Sequence, residues 1–258
     1  MTVLFDSHAH LTDGKFRDDL KQTVARADEA GVKHIITVAD SLVESYKTIE
    51  LAKEYDNIYP TAGIHPHYAE KSCGSDESVL RSFFADNPEL RALGEIGLDF
   101  YYGKDSKEAQ IDLFSWQFSL AKEIGVPVII HCRDAQDVIL SIIDNIGYFC
   151  GVFHCFSGDE VFCRKVIDLG FYVSFSGIIT FKNAGSVREA AVLAPMDKVL
   201  IETDCPYLAP QSFRGKRNEP SFLSETARKL AEIKESSLDE IAESTLKNTT
   251  NLFNIKVN

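Results

Sequence analysis

The chain has 258 residues, 45% of them hydrophobic, with 27 Lys and Arg against 39 Asp and Glu, for a net charge of −12. A chain of this length buries most of its unfolded surface without disulfide staples, and its acidity argues against a broad basic face for gripping duplex nucleic acid, though not against a local phosphate site. The six cysteines show no CxxC and no framework spacing, which reads as reduced thiols. Residues 1–15 lack an export signature and no apolar run reaches the ~18 residues of a membrane span, so a soluble, cytoplasmic chain is expected.

Short β-branched runs alternate with amphipathic stretches from end to end. In chain order, the pattern predicts strand 3–6, helix 17–30, strand 34–39, helix 42–55, strand 58–64, helix 75–86, strand 91–95 and helix 106–124. It continues with strand 126–131, helix 134–146, strand 151–154, helix 160–169, strand 171–175, helix 185–193, strand 198–203 and helices 221–235 and 238–252. Ser106, with Gln110 nearby, and Asp159 are predicted helix starts, and Gly31, Gly125 and Gly170 predicted stops. Strand runs that are almost continuously apolar belong in a parallel sheet buried on both faces. Eight such runs give an α/β fold of the (β/α)8 TIM-barrel class, one domain over residues 1–258, with extra C-terminal helices. Asn248-Thr249-Thr250 matches a glycosylation acceptor, a match expected to be empty without export.

The first apolar run ends in Asp6-Ser7-His8-Ala9-His10. Histidines at i and i+2 of an extended segment point to the same side. Glu95, His131, His154 and Asp204 recur at spacings of roughly three, one, one and two strand–helix units of ~30 residues. Each is therefore expected to end strand 4, 5, 6 or 8, on the rim where barrel active sites lie. Four imidazoles and two carboxylates exceed the three or four ligands of a mononuclear site. Two divalent ions (Mg, Mn or Zn) are expected, one on His8, His10, Glu95 and Asp204, the other on Glu95, His131 and His154, with Glu95 shared. Such a pair activates water and clamps a phosphoryl or carbonyl oxygen.

The segments DSHAHL (6–11), GIHPH (63–67), GEIGLDF (94–100), PVIIHCRDA (127–135), HCFSG (154–158) and ETDCPYLAP (202–210) resemble the TatD-type metal-dependent hydrolases, a branch of the amidohydrolase-like barrels. FYVSFSGIITFKNA (171–184) and RGKRNEP (214–220) further resemble the bacterial YcfH-like branch. The resemblance covers nearly the whole chain. It implies a two-metal (β/α)8 hydrolase with divalent-cation-dependent DNase activity, and carries the family's metal ligands onto His8, His10, Glu95, His131, His154 and Asp204.

The expected function is hydrolysis of DNA phosphodiester bonds, 3′→5′ from single-stranded or frayed ends. Asp204 and Glu95 are the catalytic carboxylates, with Asp204 orienting the water and taking its proton. Around them, His65 is a candidate for orienting a phosphate or binding an additional cation, or else a loop histidine bonded to backbone, which is the reading for His67. Asp99 reads as fixing a histidine ring, Glu202 as facing inward beside Asp204 to tune the site or hold another metal, and Arg133 as reaching substrate. Arg214, Lys216 and Arg217 form the one basic cluster, read as a phosphate contact or as a solvated surface loop. Phe100, Tyr101 and Tyr102 read as packing residues or as a stacking surface for bases. The alternative is hydrolysis of a small ester, amide or phosphotriester, or of an aminoacyl-tRNA ester, at the same centre, since fold and metal do not fix substrate. A metal-free nucleic-acid-binding module has no use for six converging ligands. Neither a membrane nor an obligate protein partner is expected.

Overall fold

The near-continuous apolar runs form eight strands in a computed structural model that describes residues 2–102 and 106–257. In chain order the elements are β1 (Leu4–Ala9), α1 (Leu20–Glu29), β2 (Val32–Thr37), α2 (Leu42–Ala52), β3 (Ile58–Pro60), α3 (Asp76–Asp86), β4 (Leu93–Asp99), α4 (Lys107–Ile124) and β5 (Val128–Arg133). They continue with α5 (Gln136–Ile146), β6 (Gly151–Phe153), α6 (Glu160–Asp168), β7 (Tyr172–Phe175), α7 (Gly185–Leu193), β8 (Val199–Ile201), α8 (Leu223–Lys234) and α9 (Leu238–Leu252). This is the alternation of the (β/α)8 class, with α8 completing the eighth unit and α9 beyond it.

The chain divides into two compact units, residues 1–37 with 155–258, and residues 38–154. In the first, β1 pairs parallel with β2 and β7 parallel with β8, and a parallel bridge from Ala9 to Cys205 ties the end of β1 to the segment after β8. Every residue of β1 is buried, as a strand covered on both faces requires. Phe5, Phe171, Phe175 and Leu200 lie in this core. Asn248, buried on α9, donates to the carbonyls of Met196 and Val199 at 2.8 Å each. The acceptor-like tripeptide thus serves packing.

In the second unit, β4, β5 and β6 pair parallel, and an Ala62–Leu93 bridge extends the ladder beyond β3. All seven residues of β4 are buried. Ile96, Leu98, Phe114, Phe118, Ile129 and Ile130 make the core.

Several boundaries differ from the sequence pattern for local reasons, while Asp159 and Gly125 mark the helix start and stop where the pattern placed them. β3 stops at Pro60, where the missing N–H ends regular pairing. α1 starts at Leu20 because Gly14–Phe16 forms a separate 3-10 turn capped by the Asp13 side chain. α5 starts after Asp134, whose φ of 54° lies outside the helical region. Asp159 caps α6 by accepting the Phe162 N–H at 2.8 Å. α4 ends at Gly125 with φ 74°, the left-handed stop that glycine adopts without strain.

Candidate metal centre

In the first unit the site is built on β1 and the segment after β8. His8 is fully buried within β1, and His10 follows the strand. Their Nε2 atoms face each other at 3.1 Å, and Asp204 Oδ1 lies 3.7 Å from His8 Nε2 and 3.4 Å from His10 Nε2. The backbone sets this convergence. Asp204 N donates to the His8 carbonyl at 2.9 Å, and His10 N to the Cys205 carbonyl at 2.8 Å. Asp204 itself adopts φ 57°.

Beneath this cluster, Asp6 accepts from Thr203 N at 2.9 Å, Thr203 Oγ1 at 2.5 Å and His8 N at 3.3 Å. Burial pushes the Asp6 carboxyl up to about 8 even though the Thr203 and His8 donors pull it down. Sequence reasoning missed both Asp6 and Thr203. The period-2 series Asp6, His8, His10 on one strand face was the signal that pointed to Asp6. Glu202 is fully buried, and its Oε1 accepts the Cys155 N–H at 2.7 Å.

In the second unit, four imidazoles and two carboxylates form a chain. Glu95 Oε1 lies 2.7 Å from His154 Nε2, 2.9 Å from His131 Nδ1 and 3.6 Å from His65 Nε2. His131 Nδ1 and His154 Nε2 are 3.3 Å apart. Burial alone would raise the Glu95 carboxyl. His154, His65 and His131 outweigh it and hold Glu95 well below the usual carboxylate range. Asp99 Oδ2 lies 3.2 Å from His131 Nε2 and 3.1 Å from His67 Nε2. His67 therefore faces a carboxylate through its ring, in contrast to the loop histidine bonded to backbone that its sequence context suggested. Gln110 of α4 clamps the end of β4, accepting from Asp99 N at 2.8 Å and donating to the Asp99 carbonyl at 3.0 Å.

The expectation that every candidate ligand ends its strand needs correction. His154 directly follows β6, and Asp204 lies beyond β8, but Glu95 is the third residue of β4 and His131 the fourth of β5. Asp99 and Arg133 take the strand ends instead. The β4–β5 ladder shifts register between Leu93 and Ile96, and Glu95 N turns aside to bond the Ala39 carbonyl at 2.8 Å. A Cβ on Gly94 would sit 2.7 Å from Ile129 Cβ, so only glycine permits that approach.

The basic cluster is split. Arg217 is engaged by Asp19 through two bonds of 2.7 Å. Arg214 lies over the Phe181 ring and Lys216 over Phe213. Arg133 sits over Tyr101 and Tyr102, while Phe100 is buried. Among the described residues no helix is long and apolar enough to cross a membrane.

The donor chemistry suits divalent cations. Within each unit, imidazole nitrogens face one another at 3.1 or 3.3 Å beside a carboxylate oxygen, an arrangement in which several lone pairs converge on one point. Within the second unit, His65, Glu95 and His131 bring three donor atoms within 4.8 Å of one another.

Comparison with known proteins agrees. Residues 5–254 match the family described as TatD related DNase. The uncharacterized metal-dependent hydrolase YabD of Bacillus subtilis is 39% identical over 98% of this chain and 100% of its own length. Its counterpart YcfH of Escherichia coli K12 is 38% identical over 98% and 96%. A protein of Erwinia tasmaniensis named 3′-5′ ssDNA/RNA exonuclease TatD is 34% identical over 98% and 100%. The crystal structure of YJJV, a TatD homologue of Escherichia coli, superposes with a TM-score of 0.94 at 31% identity, covering 98% of each chain.

Proposed function

Because this chain belongs to the TatD family of metal-dependent hydrolases, we propose that it cleaves phosphodiester bonds of DNA, working 3′→5′ from single-stranded ends. The observation that carries the reading is the convergence of imidazole and carboxylate donors in each unit. The name of the Erwinia relative supports the choice of substrate and polarity. One continuous family match from residue 5 to 254 supports treating the chain as a single hydrolase domain. The absence of disulfides among the described cysteines suits a cytoplasmic setting.

His8, His10 and Asp204 in the first unit, and Glu95, His131 and His154 in the second, would hold divalent ions, two in all, of Mg, Mn or Zn. When bound, such ions act as Lewis acids toward the phosphoryl oxygens and lower the pKa of water. The chain's own groups do the rest. Asp204 orients the attacking water and accepts its proton. Asp6 fixes the backbone of Thr203, and so the approach of Asp204, through the 2.9 and 2.5 Å bonds. Asp99 sets the His131 ring, and His65 and Glu202 tune the donors beside them. Arg133, Arg214 and Lys216 meet substrate phosphates, and Arg217 ties the loop of Arg214 and Lys216 to Asp19.

The direct test treats purified protein with chelator, restores Mg, Mn or Zn singly, and follows a 3′-labelled single-stranded oligonucleotide. Release of the labelled 3′-terminal mononucleotide with metal, and none without, is expected. Turnover of esters or aminoacyl-tRNA with the oligonucleotide left intact would overturn the DNA assignment and keep the hydrolase.

A further inference from the structure

Immediately after β4 the chain exposes two adjacent tyrosines. Tyr101 is 51% and Tyr102 67% solvent-accessible, unusual for aromatic rings, which ordinarily bury most of their surface. Their rings stand perpendicular, 88° apart with centroids at 4.6 Å. The Arg133 guanidinium lies over both, 4.2 Å from the Tyr101 centroid and 4.8 Å from that of Tyr102. Among the described residues Arg133 makes no ion pair. Tyr102 also walls a cleft of about 470 Å³ that includes Pro66, His67 and Lys71, within the size range of small-ligand clefts.

One carboxylate fixes this platform relative to the metal-site donors. Asp99 Oδ1 accepts the N–H groups of Tyr101 and Tyr102, at 3.0 Å each. Its Oδ2 lies 3.2 Å from His131 Nε2. Whatever rests on the tyrosines is thus held beside a candidate ligand histidine.

We propose that Tyr101, Tyr102 and Arg133 form a nucleotide subsite, in which a base of the single-stranded substrate stacks on the open face of Tyr102 and its phosphate pairs with Arg133. The inference rests on the nuclease reading above and names the contact that selects nucleic acid over a small ester. Base–aromatic stacking tolerates every base, because each has a π-face, and guanidinium adds charge where the backbone passes. Lys71, beside Glu70, lines the same cleft. The platform also gives an acidic chain a local phosphate site without a basic face.

The test measures equilibrium binding of a phosphorothioate oligothymidylate, which resists cleavage, in magnesium buffer, beside its abasic counterpart. Wild type is expected to prefer the base-bearing strand. Tyr102→Ala weakens that strand by about five- to a hundredfold and abolishes the preference, whereas Tyr102→Trp retains both. Arg133→Ala weakens both strands and lowers the log–log salt slope by about 0.7. Wild-type cleavage of bis(4-nitrophenyl) phosphate, which carries no base, reports on the hydrolase separately. Equal affinity of wild type and Tyr102→Ala, or no preference over the abasic strand, overturns the subsite whatever the outcome with that ester.

Discussion

Asp204 holds φ 57°, a region that asparagine also visits at small cost. Asp204→Asn therefore keeps its fold and its backbone bond to His8. It is expected to lose about 10²- to 10⁴-fold in kcat, the usual size of a general-base contribution, with a melting temperature close to wild type. Stopped assays on the 3′-labelled strand, run beside thermal melts, check both halves, and near-wild-type turnover would remove Asp204 from the chemistry. At this scale the sequence showed the histidines and carboxylates because strand periodicity and recurrence are written along the chain. It hid what supports them. Thr203 reaches Asp6, 197 positions away, and no local pattern encodes that pairing. His67 meets Asp99 because Gln110 fixes the end of β4, again a tertiary effect.

At the scale of elements, β4 and β5 approach so closely that a Cβ on Gly97 would lie 1.9 Å from the His131 carbonyl oxygen, at a φ of 149° that disfavours any side chain. Gly97→Ala is expected to cost about 2–3 kcal/mol, read as a lower denaturant midpoint at unchanged slope. Metal affinity should fall with it, because the His131 backbone is what moves. The Asp19–Arg217–Arg26 group gives a second prediction. Bonds from Arg217, then Arg26, hold the Asp19 carboxyl well below its ordinary range. A carboxylate lowered in the folded state adds stability above its unfolded pKa of about 4 and loses it as pH falls through the folded value. Asp19 is about a third exposed, so Asp19→Asn should lower the melting temperature by only about 1–3 °C near neutrality. The gap should narrow below pH 4; a constant gap down to pH 2 would discount the pairing. Element order and type were legible throughout, since long apolar and amphipathic runs carry their own period. The ends were not. Pro60, the left-handed Asp134 and the register shift near Leu93 each moved a boundary for a steric reason that hydrophobic pattern does not express.

For the whole molecule, ions that bind only the native state stabilise it by mass action. At a metal concentration a hundredfold above Kd the gain is about 2.7 kcal/mol, or roughly 5–10 °C for a chain of this size. Chelation is expected to lower the melting temperature by that amount, and Mn or Zn to restore it; an unchanged melt would mean that the donors hold no ion tightly. Fold class was readable from sequence because one strand–helix unit repeats along the whole chain, whereas the division into units was not, since it depends on which strands pair. The first unit combines residues 1–37 with 155–258, and this has a consequence during synthesis. The intervening 117 residues (154 − 38 + 1) take roughly 6–23 s to emerge at about 5–20 residues per second. Through that interval His8 and His10 are already made, but Asp204 does not yet exist. The contiguous second unit can therefore organise on a growing ribosomal chain while β1, already paired with β2, still lacks β7 and β8, and the histidine pair acquires its carboxylate only once the segment after β8 has been made.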